Sequence, residues 1–337
     1  PDDHEHLGSY IIKNTNEEGG ITYTLKKYGL DPQFISDLVK GISPDILANQ
    51  ILHSEVDCDR MDYLLRDAHY TGLNYGTYDR DYLLHHFTTT KVAGHDILAI
   101  KHNALHCVED FLNARFAWYS QVVRSSRGAK YDALAEELTF YLLEKGKIYT
   151  YKQLLDLVKN DPSSFYMFND QYFMTLIHRL YKEGFFDNNA KMKDITESLL
   201  FEKSPKTIYC DEFKQRILNQ DQDDVAEKLR KKAIDKAEEI RQFLSKEGGP
   251  HDWIVVDIPK KSIVFTKSKK RIVKDQNYPN MLLERDPTKI MTDRGEVQLL
   301  VDVENSIIAH VSNTYNFVPN VFCSESAFKL LKDSGII

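Results

Sequence analysis

The chain has 337 residues, 42% of them hydrophobic and 28% charged, with a formal net charge of −7. That balance suits a globular protein with room for two domains, and the acidic sign argues against a nucleic-acid partner while leaving space for a local basic pocket. No apolar run approaches the roughly 18 residues that span a bilayer and no signal-peptide pattern opens the chain, so a cytoplasmic protein with no membrane span is expected.

In chain order, residues 4–16 read as a short helix and 31–40 as another, started by Asp31-Pro32. Ser54 with Asp57 three residues later fits a capping box, which predicts a helix from about Glu55 to His69. Thr71-Gly72 and Tyr75-Gly76 end it. Leu105, Val108, Leu112, Phe116 and Tyr119 recur at helical spacing and predict a long helix over about 104–123. Another is expected over 130–144, with helical pieces continuing to about Leu200. After Lys203-Ser204-Pro205 the character changes. The charged run 222–247 predicts a solvent-facing helix stopped by Gly248-Gly249-Pro250, and WIVVDIP, SIVFTK and VQLLVDVE read as short strands. The expected fold is therefore mainly α, with a helical domain over 1–205 and a small α+β C-terminal domain over 206–337. The four cysteines, Cys58, Cys107, Cys210 and Cys323, show no metal spacing and predict free thiols in a reducing compartment.

The stretch Ser54 to Gly76, SEVDCDRMDYLLRDAHYTGLNYG, concentrates five acidic residues, two arginines and three tyrosines. On a helix Asp59, Tyr63 and Asp67 stand at i, i+4 and i+8 and share one face, while Asp62 and Arg66 are placed to pair. Leu64, Leu65 and Ala68 are left to bury. By spacing alone this is either a solvated face with local ion pairs or a carboxylate–phenol–carboxylate ladder for a metal and a ligand.

EVDCDRMDYLLRDAHYTG resembles the closing metal motif of the HD-domain deoxynucleoside triphosphate triphosphohydrolases, a family that includes bacterial dGTPase-like enzymes and the SAM-and-HD-domain dNTPase. His4-Glu5 resembles the family's HE pair at a helix start, HCVEDFLNARFAWYSQV its long helix, and RGEVQLLVDVENSIIAHV its small C-terminal domain. The resemblance implies an HD-type helical fold and hydrolysis of a deoxynucleoside triphosphate to deoxynucleoside and inorganic triphosphate. It places Asp59 as a metal ligand, Arg60 at the substrate phosphates, Tyr63 against the deoxyribose and Asp67 at its 3′-hydroxyl. His4 would stand beside the scissile phosphate with Glu5 as its orienting partner. The cofactor implied is a divalent metal ion, Mn, Mg, Fe, Co, Ni or Zn. The family's other metal ligands, a His and a His-Asp pair, precede the HE pair, so the resemblance implies that they precede Pro1. Family members are commonly homo-oligomers regulated by a nucleotide effector, and both are expected by resemblance.

Two alternatives stay open: an HD phosphohydrolase of another phosphate ester such as a nucleoside monophosphate, and a nucleotide-binding regulatory protein without turnover. His102, His106, Glu109 and Asp110 share a helical stripe without the HExxH pattern, which favours packing and capping over zinc. His85-His86 reads as a surface pair. Arg115, Arg124, Arg127 and Lys130 could grip phosphates or a neighbouring subunit. The basic run at 260–274 reads as a solvated hairpin.

Overall fold

The computed structural model describes residues 4–208, 215–217, 222–267 and 277–337. The fold is mainly α with a minor β part. Its contacts define two compact units, each built from segments distant in sequence. One takes residues to Val122 together with Ile263–Tyr315, and the other Val123–Ile217, Asp221–Ser262 and Asn316–Ile337. Both cross the sequence-order division at 205/206.

The first unit opens with α1 (His4–Asn14), α2 (Ile21–Lys27), α3 (Pro32–Val39) and α4 (Ile46–His53). The start of α3 follows the expected signal. Asp31 accepts from the backbone of Gln33 and Phe34, and Pro32 loses no hydrogen bond at the first helical position. α5 runs Cys58–Thr71, later than the sequence predicts. Ser54 closes α4 rather than opening a capping box, and the true N-cap is Asp57, whose carboxylate accepts from Arg60 N at 2.8 Å. Gly72, in the left-handed region at φ 69°, ends α5 where a side chain would be strained. After α6 (Arg80–His86) comes the hairpin of Phe87–Val92 and His95–Lys101, a pair that no sequence expectation covers. Its two-residue turn, Ala93-Gly94, has positive φ at both positions, as a tight right-twisted hairpin requires.

That hairpin joins the strands Lys289–Met291 and Val297–Leu299 in one four-stranded sheet, with Ile100 opposite Ile290 in a parallel pairing and Lys289 opposite Leu299 in an antiparallel one. α7 (Leu105–Trp118) and α5 pack against each other, and the core they share with the sheet contains Leu64, Ala68, Val108, Phe111, Ile97 and Ile290. Leu64 and Ala68 bury as expected, while Leu65 is only half-buried. Glu109, on the His/Glu/Asp stripe, does packing work: one carboxylate oxygen accepts from Ile307 N at 2.7 Å and the other meets His106 at 3.0 Å.

The second unit holds α8 (Ser126–Glu144), four helices between Tyr151 and Phe201, and the 26-residue helix Gln222–Glu247. The long charged helix departs from the solvent-facing expectation. Leu229, Ala233, Ala237, Ile240 and Leu244 form a buried stripe at three- and four-residue spacing, and only the remaining faces carry the exposed charges. A small sheet orders Lys206–Ile208, Asn320–Cys323 and Ile254–Asp257 side by side. Residues 268–274 of the expected basic hairpin, and Cys210, lie outside the described residues; Cys58, Cys107 and Cys323 are free thiols. No described helix is long and apolar enough to cross a membrane.

Candidate functional site

The acidic stretch is anchored from below by a buried polar knot in the first unit. Glu55 is 1% exposed. Its carboxylate accepts from Thr266 Oγ1 at 2.8 Å, Thr288 Oγ1 at 3.3 Å and the backbone N–H of Lys267. Arg115, also buried, donates to the Glu55 carbonyl at 3.3 Å and to that of Phe265 at 2.8 Å, and its guanidinium lies 4.0 Å from the Glu55 carboxylate. Burial lowers the Arg115 pKa, with Glu55 opposing that shift. A buried charge pair survives when every partner is hydrogen-bonded, and this one is. Arg115 therefore holds the protein together and does not present its fork to a ligand.

Above the knot, Arg60 Nη1 donates to the carbonyl of Ser54 at 2.5 Å and pairs with Asp57. Burial raises the Asp57 pKa against the pull of Arg60. The other guanidinium donors of Arg60 take no partner among the described residues, so half of the planar fork is left for an anion.

Tyr63, one turn further, is half-buried, and its hydroxyl donates to Tyr119 Oη at 3.1 Å. Burial, reinforced by Tyr119, pushes the Tyr63 phenol well above its usual range. It is a packing and hydrogen-bonding group, not a base. Tyr119 begins a π-helical turn, Tyr119–Val123, at the end of α7. Such turns re-aim side chains and recur at functional sites. By spacing Tyr119 falls among the apolar positions of the long helix, and the stretch AWYSQVV carries no local signal for the π turn.

Asp59 is exposed on the first turn of α5, and Asp67 lies two turns on from it, 3.4 Å from Arg66. The predicted Asp62–Arg66 pair is present at 2.9 Å. The α5 face thus presents Asp59, Tyr63 and Asp67 in line, with Arg60 beside them and Tyr119 against Tyr63. His4 and Glu5 lie on the first turn of α1, exposed and half-buried respectively; α1 packs chiefly on α3 and α2, and α5 on α4 and α7. Among the described residues no three His, Cys, Asp or Glu side chains gather as a metal-holding group. These residues do not by themselves fit a cation around Asp59.

The other basic candidates are engaged elsewhere. In the second unit Arg124 pairs with Asp257 at 2.6 Å, Arg127 with Glu202 at 3.4 Å, and Lys130 donates to Ser204 Oγ at 3.0 Å. His85 and His86 each meet a backbone carbonyl of their own helix, as a structural surface pair would.

No protein-family model matches the chain. It is 34% identical over 123 residues to the uncharacterized protein YwfO of Bacillus subtilis, a match covering 36% of this chain and 26% of YwfO. An uncharacterized protein of Methanocaldococcus jannaschii is 30% identical over 184 residues, 52% of this chain and 40% of that protein. The chain thus matches less than half the length of these curated relatives. Among solved structures, a phosphohydrolase from Bacteroides thetaiotaomicron superposes with a TM-score of 0.58 at 15% identity, over 96% of this chain and 72% of that one. A hypothetical protein from Aquifex aeolicus superposes with a TM-score of 0.63 at 17% identity, over 98% and 71%. What the chain shares with these two structures is the fold.

Proposed function

We propose that the protein is a phosphohydrolase that cleaves deoxynucleoside triphosphates to deoxynucleoside and inorganic triphosphate. The observation that carries this reading is the α5 face: Asp59, Tyr63 and Asp67 in line, Arg60 with donors to spare, and Tyr63 held as a neutral phenol against Tyr119. The fold shared with a solved phosphohydrolase supports the reaction class. In this reading the Tyr63 ring packs against the deoxyribose where a 2′-hydroxyl would crowd it. The Asp67 carboxylate accepts the 3′-hydroxyl, and the free edge of Arg60 meets the phosphates. Water oxygen joins the α-phosphorus, the bond to O5′ breaks, and the departing oxygen takes a proton from His4, which Glu5 orients. A divalent metal requirement belongs to the same proposal, with Asp59 supplying one ligand and the remaining donors coming from groups other than the described residues, as do the homo-oligomer and the nucleotide effector.

Anion-exchange analysis after incubation with dGTP, with Mn²⁺ and again with a chelator, tests it. Deoxyguanosine and triphosphate in equal amounts, formed only with the metal, are expected. Orthophosphate or pyrophosphate as first product would place the cut at another phosphorus and defeat the reading. Tight dGTP binding without product would support the regulatory alternative.

A further inference from the structure

Lys289 sits on the strand Lys289–Met291 of the four-stranded sheet and is 3% exposed. An ammonium has three donors to satisfy. Here Nζ donates to the carbonyl of Glu284 at 2.5 Å, and no ion pair to Lys289 forms among the described residues. The acids around it are committed to other partners or exposed. Glu55 is filled by Thr266, Thr288 and the Lys267 N–H, with Arg115 beside it; Asp286 pairs with Lys267 Nζ at 2.8 Å; and Glu284 is an exposed residue. On the remaining side lies a cavity of about 10 Å³, the size of one water, between Lys289, Thr288, Gln50, Ser54 and the apolar side chains of the hairpin. The hairpin contributes no titratable group there.

We propose that Lys289 is a pH-sensitive device of the first unit: as a neutral amine it fits its site, and as an ammonium it strains the 284–289 segment and, through Glu55, the Ser54–Asp57 segment that starts α5. Removing a charge from water without a partner is costly, and the group neutralises instead. Burial accordingly pushes the Lys289 amine down to about 7, with Glu55, Asp286 and Glu284 pulling the other way. The unfolded chain titrates near 10.4. Between those values the unfolded state holds a proton that the folded state has released, so stability rises with pH across that window. Below pH 7 both states are protonated and the full burial cost is felt. Above about 10.4 neither carries the charge and the pH dependence ends.

The inference is independent of the proposed activity. Denaturant unfolding of the full chain and of Lys289→Met at pH 6, 7.5 and 9 tests it. At pH 6 the Met variant should be the more stable, and the wild type should close the gap by up to about tenfold in folding constant per pH unit above 7. Lys289→Arg, which keeps its charge, should be the least stable and gain nothing from rising pH. Parallel profiles for wild type and Met would overturn the proposal. Should neither variant fold, ¹³Cε-lysine spectra of the wild type decide: one lysine titrating near pH 7 supports it, and all lysines titrating above pH 9 refute it.

Discussion

Glu55→Ala is expected to lower the unfolding free energy by about 3–5 kcal/mol, the cost of breaking a buried ion pair from one side. The variant strips three hydrogen-bond donors of their acceptor at once: Thr266, Thr288 and the backbone of Lys267. It also leaves the buried Arg115 guanidinium with carbonyl partners alone. Glu55→Gln keeps the shape and part of the hydrogen bonding, and should cost less than the alanine variant. Because Ser54 and Asp57, on either side, hold Arg60, loss of Glu55 should also weaken ligand binding at the α5 face. Urea titration with far-UV circular dichroism measures the first effect. A change under about 0.5 kcal/mol, the range of an ordinary surface substitution, would show that the knot does not anchor the unit.

Tyr63→Ala should lower turnover of deoxynucleoside triphosphates by about 100-fold, since loss of a positioning surface beside the reacting centre has effects of that order. Removal of the ring also opens the space in which a ribose 2′-hydroxyl would sit, so the preference for dATP over ATP should narrow. Tyr63→Phe isolates the hydroxyl. It breaks only the bond to Tyr119, worth about 1 kcal/mol of stability, and keeps the ring against the sugar, so discrimination should survive. Steady-state rates for dATP and ATP across the three proteins separate these effects. Equal rates for the two nucleotides in the wild type would sink the assignment of Tyr63.

The mainly α fold, the Asp31-Pro32 start of α3, the extent of the long charged helix, the Asp62–Arg66 pair and the common face of Asp59, Tyr63 and Asp67 were legible in the amino-acid sequence. Each depends on residues within about two helical turns, where spacing and side-chain chemistry decide the outcome. Two local patterns were misread: at the start of α5, Ser54 and Asp57 both qualify as caps and α4 claimed Ser54 as its end, and in the long charged helix the charges masked the buried stripe from Leu229 to Leu244. Tertiary structure alone decided the rest. The acceptor for Thr266 lies 211 residues away at Glu55, the parallel partner of Ile100 is Ile290, and Tyr63 meets Tyr119 across 56 residues. Burial of Lys289 without an ion-pair partner among the described residues and the conversion of Arg115 from candidate phosphate ligand to structural cation follow from the same packing. A side chain's solvation and partners depend on which distant segments close around it, and no local pattern carries that information.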